Sequence, residues 1–437
     1  MLKRMLKPLL GPAYLRFGLP MLGWLETVSF RHGVDLARVL GILPPRREVA
    51  EAGPQRFLVV HLTPHLGDTI MMMPMLEALR KAHPAARIEC AVESEAAPLL
   101  RMMPGVDHVY GLPLGRRPPA SPRLGMLRTL KVVRNYWDTM RASQPDVCIL
   151  PRWGDDLFRS MMLAYLTEAP VRLGFAADEE KAQSYVANHR DLLLTQVVRG
   201  GRQVHEPEKY CLLLRATGLI PETSAHKAST EIVQSLELIA GETEWLPLAM
   251  RLGLAPSVRF AVIAPGASMA KRVWPLKFWA EVMQFLKDRG CHVVLLAGPQ
   301  DASLAQELHQ ASGGWASVVA GETTLAESVA LLSHASLFLG NDSGPGHIAG
   351  ALGLPSVILF TTIEGSDPDG ASAPERIRPI GRHVAVCRPA ECLPPCKLTC
   401  EANEAHCITT ISPRAVIGAI LAIESEWTCA SDKRRAS

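Results

Sequence analysis

The chain has 437 residues, 48% of them hydrophobic and 20% charged, with a net charge of +3 at pH 7. That composition belongs to a folded protein rather than a disordered one, and the length exceeds one ordinary core, so two α/β domains are expected. The small net charge, with no basic run interleaved by aromatics, excludes nucleic acid as an expected partner. Residues 1–30 are apolar, with Lys3, Arg4, Lys7 and Arg16 interspersed among Gly and Pro breaks. No uncharged run there approaches the ~20 residues of a membrane span. The segment reads either as a basic amphipathic stretch lying on an anionic membrane surface or as a helix packed on the first domain. Residues 43–55, with Pro44, Pro45 and Pro54, read as a linker closing this N-terminal region of residues 1–55. No cleavable signal sequence is evident, so the expected location is the cytoplasm.

The first domain, residues 56–220, opens with an expected buried strand over 56–62, a loop over 63–67 and a helix over 68–82. Asp68 then stands near the carboxyl end of the first strand, where open α/β sheets hold their ligands. Read from the residues alone, an aspartate at a helix start is better explained as a cap. Further strands are expected within 85–93, 106–110 and 147–150, with an amphipathic stretch over 124–140. Residues 151–175 read as loop, helix and short strand, and residues 205–219 as another helix. Strands alternating with helices argue for a parallel sheet covered on both faces. Residues 221–255 read as the interdomain connection.

The second domain, residues 256–437, begins with strand, glycine-containing loop and helix, the loop carrying Ser268, Lys271 and Arg272. The pattern repeats over 291–308, where Gln300 and Asp301 follow Ala297-Gly298-Pro299. Residues 336–339 form an apolar strand, 340–346 a glycine-rich turn and 347–352 a helix of small residues, and another strand follows Pro355. Asp342 or Ser343 can cap that helix. The N–H groups behind them sit at the positive end of its dipole, a site suited to phosphate, which the glycines let approach. His347, one turn on, reads either as part of that site or as a buried core histidine. No Gly-x-Gly-x-x-Gly follows a strand and no Walker-type loop is present, so no nicotinamide or flavin cofactor is expected.

Four of the ten cysteines, Cys90, Cys148, Cys211 and Cys291, lie in apolar segments and read as core residues. Cys392, Cys396, Cys400 and Cys407 cluster in a cysteine-rich segment, 387–407, without a Cys-x-x-Cys pair. That spacing signals zinc or an iron–sulfur cluster only weakly, and reduced structural cysteines are the default in a cytoplasmic setting.

The run Asp342-Ser343-Gly344, then His347, then Ala349-Gly350-Ala351-Leu352-Gly353-Leu354-Pro355 resembles the signature of glycosyltransferase family 9, the bacterial lipopolysaccharide heptosyltransferases. Gly350 stands where that family commonly has alanine. The resemblance implies a GT-B fold, two Rossmann-like parallel-sheet domains facing a cleft. It also implies inverting, metal-independent transfer of a sugar, with ADP-heptose as donor and lipopolysaccharide core or a related cell-envelope glycolipid as acceptor. A peripheral position at the inner face of the cytoplasmic membrane follows from such an acceptor, and no cofactor is implied.

By the same resemblance Asp68, after Gly67, falls on the family's general base. The cation that stabilises the departing diphosphate falls on Arg272 before Trp274-Pro275, or on Lys271 if Val273 is an insertion. Asp342, Ser343, Gly344 and His347 fall on the donor site, and Gln300 or Asp301 occupies the region where family members carry an acidic residue near the donor; Ser268, in the loop with the cations, reads as a further donor to phosphate. Phe360 is followed by Thr361 and Thr362 where the family often has Phe-Gly. Asp367-Pro368-Asp369 has a metal-binding spacing but reads better as a proline turn. The alternatives are transfer of another nucleotide sugar in polysaccharide assembly, a nucleotide-sugar epimerase, and a non-catalytic nucleotide-sugar-binding protein.

Overall fold

The structure, a computed structural model, describes residues 28, 30–36, 39, 54–113, 142–152, 160–176, 192–200, 204–222, 242–255, 258–370, 372–391, 393 and 404–426. Most of the basic apolar segment 1–30, the amphipathic stretch 124–140, much of the connection after residue 222, and Cys392, Cys396 and Cys400 lie outside the described residues. The chain divides into two compact units. One comprises Met1–Gly201 and Tyr210–Ala225, the other Arg202–Lys209 and His226–Ser437. Arg202–Lys209 groups with the second unit because the Glu206 carboxylate takes the Arg376 guanidinium and lies 3.5 Å from Lys209 Nζ.

The first unit runs β1 (Arg56–His61), α1 (Leu66–Ala82), β2 (Arg87–Glu93), α2 (Ala97–Arg101), β3 (His108–Leu112), β4 (Val147–Leu150), α3 (Ser160–Leu166), β5 (Val171–Phe175) and β6 (Gln196–Val198), with α4 (Glu206–Ala216) following. Its sheet has the order β3-β2-β1-β4-β5-β6, every neighbouring pair parallel. β1 is central, with Leu58 opposite both Glu89 and Cys148. Phe57, Leu58, Val59 and Val60 are fully buried, the continuous apolar run that a strand covered on both faces requires. α1 starts at Leu66, two residues before its expected start, with His65 at the N-cap and no side-chain cap bond. Asp68 is therefore in the first turn and is not the cap. Met71, Met72, Met73 and Met75 fill the core beneath it with unbranched, adaptable side chains.

The second unit continues with α5 (Glu242–Leu252), β7 (Phe260–Ala264), α6 (Leu276–Asp288), β8 (His292–Ala297), α7 (Ala302–Ala311), β9 (Ser317–Ala320) and α8 (Leu325–His334). It closes with β10 (Leu337–Asn341), α9 (Gly344–Ala351), β11 (Ser356–Leu359), α10 (Pro374–Ile377), β12 (Val384–Cys387) and α11 (Pro413–Ala422). The sheet order is β12-β11-β10-β7-β8-β9, again all parallel. Counted from the first strand of each unit, the two orders are the same. Each sheet thus reverses direction between its first and fourth strands, β1 beside β4 and β7 beside β10, the place where doubly wound sheets bind ligands. Both units are Rossmann-like, as expected. β6, β9 and β12 are additions to the expected elements, short outer strands of which β6 is mostly exposed and β9 and β12 are half covered.

Two packing details bear on the site. Trp274 is fully buried, with Trp279 edge-on at a centroid distance of 4.8 Å, and its Nε1 donates to the Ile411 carbonyl at 2.9 Å. Gly350 lies where the backbone of Pro379 and Ile380 crosses α9: a Cβ there would stand 2.3 Å from the Ile380 oxygen. That approach accounts for glycine in a position where the family signature has alanine. Cys90, Cys148, Cys211 and Cys291 are buried as expected, and burial pushes the Cys148 thiol up to about 12 and Cys291 to about 11. Cys407 is also buried, its sulfur 3.3 Å from His406 Nδ1. No helix among the described residues is long and apolar enough to cross a membrane.

Candidate active site

β1 ends at His61 and the chain turns through Thr63 into α1. The Thr63 hydroxyl donates to Asp68 Oδ2 at 2.7 Å and accepts from the His65 N–H at 3.3 Å, so one side chain ties the loop to the first helical turn. β4, beside β1, ends at Leu150. Two residues on, Arg152 brings Nη1 to 3.7 Å from the same Asp68 oxygen. Asp68 Oδ1 has no hydrogen-bond partner among the described residues. Burial alone would raise the Asp68 pKa. The Arg152 guanidinium, then His61, the Thr63 hydroxyl and His65 outweigh it and hold the carboxyl below its ordinary 3.8. Asp68 is therefore ionised at neutral pH.

β7 ends at Ala264. Asn341, fully buried at the end of the neighbouring β10, donates from Nδ2 to the Pro265 carbonyl at 2.6 Å and to Gly266 at 3.4 Å, clamping the loop after β7. A Cβ at Gly266 would stand 2.2 Å from Asp301 Oδ2, so the glycine lets the Asp301 carboxylate lie against the loop backbone. Ser268 is exposed on that loop. A 3₁₀ turn, Ala270–Arg272, then presents the two candidate cations. Arg272 Nη1 donates to Asp342 Oδ2 at 2.7 Å and Nη2 to the Ser372 hydroxyl at 2.7 Å. His347, also buried, sets Nε2 4.0 Å from the other Asp342 oxygen. The cation that meets Asp342 is thus Arg272, while Lys271 sits half-buried on the same turn.

The start of α9 differs from expectation. Ser343 stands at the N-cap, but its hydroxyl donates to the Asn341 carbonyl at 3.0 Å, and the Asp342 carboxylate is committed to Arg272. Neither side chain caps the helix. Pro345 has no N–H, and those of Gly346 and His347 turn back to the Ser343 carbonyl at 3.1 and 3.4 Å. The Gly344 N–H is left to lead the helix.

Thr362, two residues after Phe360, donates its hydroxyl to the Ser372 carbonyl at 3.0 Å and so braces the residue that holds Arg272. Asp367 and Asp369 form the expected turn: the Asp369 N–H donates to Asp367 Oδ1 at 3.0 Å.

A sequence model of glycosyltransferase family 9 (heptosyltransferase) matches residues 133–406, well over half of the chain. The chain belongs to glycosyltransferase family 9. It is 26% identical over 299 residues to "Lipopolysaccharide heptosyltransferase 3" of Escherichia coli K12, covering 67% of this chain and 79% of that one. Among solved structures it is similar to a glycosyl transferase family 9 protein from Veillonella parvula, with TM-score 0.64, 20% identity, and coverage of 84% of this chain and 97% of that one. It is also similar to E. coli ADP-heptose lps heptosyltransferase II, with TM-score 0.61, 21% identity, and coverage of 84% and 98%. The two Rossmann-like sheets are those of the GT-B glycosyltransferases.

Within this family 9 chain, Arg272, Asp342, Ser343, Gly344, His347, Asp301, Ser268 and Lys271 gather around the β7 and β10 ends of the second sheet, and Asp68 stands at the β1 end of the first. Thr63, Arg152, Asn341 and Ser372 were not singled out from sequence. Arg152 had a usable signal, a basic residue two positions after a buried apolar strand. Ser372 had none, lying 100 residues from its partner Arg272.

The Arg272 and Asp342 side chains are only 13% and 7% exposed. Removing one partner of such a pair strands a buried charge, so Asp342→Ala should cost about 3–5 kcal/mol in urea unfolding. The apolar double variant Arg272→Met/Asp342→Leu should recover most of that loss. A cost below ~1 kcal/mol, as at an exposed pair, would show that solvent screens the two groups.

Proposed function

We propose that this chain is a heptosyltransferase moving heptose from ADP-heptose to the lipopolysaccharide core or a related cell-envelope glycolipid by a single inverting displacement. The observation that carries the reading is the Asp68 carboxylate, ionised at the end of β1 with Oδ2 occupied and Oδ1 open. Similarity to a lipopolysaccharide heptosyltransferase 3 and to an ADP-heptose lps heptosyltransferase II supports the choice of sugar and acceptor.

In the displacement the acceptor oxygen attacks the anomeric carbon from the face opposite the diphosphate, and its proton passes to Asp68 Oδ1. The bond from the anomeric carbon to the diphosphate oxygen breaks, and the electron pair leaves with ADP. Arg272, the Gly344 N–H and the positive end of α9 receive the charge that develops there. Arg272 is suited to this because its two anchors fix it in advance, and its Nε is buried with no hydrogen-bond acceptor among the described residues. Lys271 and the Ser268 hydroxyl supply further donors for phosphate oxygens. Asp301, which lies against the loop backbone, accepts hydrogen bonds from sugar hydroxyls in this reading. His347 acts beside Asp342.

The deciding experiment is a donor panel with mass-spectrometric detection of nucleoside diphosphate release in the presence of membrane glycolipid. Release with ADP-heptose and glycolipid together supports the reading. Turnover of donor alone points to an epimerase, and binding without transfer to a sensor. Phe360 is followed by Thr361 and Thr362 rather than by glycine, which is the reason to include other nucleotide sugars.

Three outcomes are expected of the transferase. Asp68→Asn should lower transfer by the ~10²–10⁴-fold typical of a lost general base while donor affinity stays near wild type; near-normal turnover at saturating acceptor would remove Asp68 from the role. With Arg272 and α9 supplying the positive potential, activity should persist in EDTA. Loss in EDTA and recovery with Mg²⁺ or Mn²⁺ would point to Asp367 and Asp369 instead. Finally, deleting residues 1–30 removes Lys3, Arg4, Lys7 and Arg16, each worth about 1 kcal/mol near an anionic surface. Vesicle binding and transfer to a lipid-embedded acceptor should fall, with transfer to a delipidated acceptor unchanged. Equal loss on both acceptors, with a lower melting temperature, would assign the segment to packing.

A further inference from the structure

Arg272 is held from one side by Asp342 and from the other by Ser372. Ser372 lies in the connection from β11 to α10, residues 360–373, and such connections are ordinarily among the more mobile parts of a fold. Here the connection is tied along its length. Thr362 donates to the Ser372 carbonyl, and the Ser366 hydroxyl to the Ile363 carbonyl at 2.7 Å. Arg388 sets Nη1 3.5 Å from the Ile363 carbonyl and donates from Nη2 to Glu375 of α10. Arg376, also in α10, sets Nη1 3.4 Å from the Asp369 carbonyl and donates from Nε to the Glu206 carboxylate. His205 Nε2 lies 2.7 Å from the Arg378 carbonyl just past α10. His205 and Glu206 are 173 and 170 residues from these partners, yet all four belong to the second compact unit.

Glu206 stands between two cations, since Lys209 Nζ is 3.5 Å from the oxygen that takes Arg376. The Glu206 and Lys209 side chains are only 3% and 0% exposed. Asp369, also buried, adds a second carboxylate whose charge acts on Lys209. A buried ion network adds little stability over apolar packing of the same volume, and its best-attested use is to fix one geometry. The geometry fixed here is that of α10 and of the connection that ends on Ser372.

We propose that Glu206 is a positioning residue for Arg272: through Arg376 it holds the connection that presents the Ser372 hydroxyl, and so sets the guanidinium that receives the diphosphate charge. This rests on the part of the heptosyltransferase reading that makes Arg272 the cation for the diphosphate. Glu206 touches neither substrate nor Arg272, and no bond is made or broken at it. Its effect is to complete the hold on Arg272 before the nucleotide arrives, so that binding and charge development need no reordering of the guanidinium.

The test is a mutant cycle on the full chain, with ADP affinity by calorimetry as the first readout and kcat for heptose transfer as the second. Glu206→Gln keeps an acceptor oxygen for Arg376 but removes the charge. It should weaken ADP binding and lower kcat, each about tenfold, the loss of one charge-assisted hold. Ser372→Ala should do the same. The two combined should cost little more than either alone, rather than the roughly hundredfold of independent losses, because both act on one guanidinium. In Arg272→Lys, whose ammonium cannot span Asp342 and Ser372, Glu206→Gln should change neither readout. A merely structural Glu206 would weaken binding equally in both backgrounds. That result, losses that multiply, or wild-type ADP affinity in Glu206→Gln overturns the proposal. If Glu206→Gln does not fold because it strands the Lys209 charge, the charge-balanced Glu206→Gln/Lys209→Met replaces it in every arm. Wild type that binds ADP but transfers no heptose overturns the heptosyltransferase reading, and the ADP cycle still decides this proposal. Wild type that does not bind ADP overturns both.

Discussion

An open parallel sheet reverses its strand order once, and there the helices leave for opposite faces and uncover the carboxyl ends of two neighbouring strands. In this chain those strands are β1 beside β4 and β7 beside β10. In each unit the charged candidate side chains follow these strand ends. In the first sheet the acid, Asp68, follows the first strand and the cation, Arg152, follows the fourth. In the second sheet the order is exchanged, with Arg272 after the first strand and Asp342 after the fourth. The same topology therefore places one acid–arginine pair in each unit, and what differs is how tightly each pair is closed.

That difference fits the two tasks proposed for the pairs. Arg272 and Asp342 are buried and meet at 2.7 Å, with Ser372 completing the hold on the guanidinium. A cation that must receive charge from a leaving diphosphate gains by being immobile. Arg152 and Asp68 are about three-quarters covered and stand 3.7 Å apart. A carboxylate locked into a short bidentate pair would be ionised but useless as a base, because both oxygens would be engaged. The looser pair keeps Asp68 ionised and leaves Oδ1 open. The two effects pull in opposite directions, since a carboxylate held below 3.8 has little drive to take a proton.

Much of this arrangement was legible in the sequence because its carriers are local. β1, β7 and β10 are continuous apolar runs, and Asp68, Arg272 and Asp342 follow them within a few residues. The outer strands were not legible. β6 exposes most of its three residues and β9 and β12 are half covered, so none shows the unbroken apolar run of a central strand. The caps were misread for a different reason. Asp342 and Ser343 have the right side chains for an N-cap, but a buried guanidinium and the Asn341 carbonyl compete for them, and those partners come from tertiary structure. Gly350 could be seen as a departure from the family signature. Its cause, the Ile380 carbonyl across α9, could not.

The Trp274-Pro275 pair shows how signature residues without chemistry support the ones that have it. Trp274 is fully buried, packs edge-on against Trp279 and donates to the Ile411 carbonyl just before α11. It therefore fixes the chain two residues after Arg272 to the core of the second unit. From the other side Arg272 is held by Asp342 and by Ser372, which Thr362 braces through its carbonyl. The guanidinium is bound on one side by packing and on the other by hydrogen bonds. Its reorganisation is consequently completed during folding, as the role proposed for it requires. A lysine on the same turn could carry the charge but would lack the two-point hold, because a single ammonium on a flexible stem cannot present a planar fork to Asp342 and Ser372 at once.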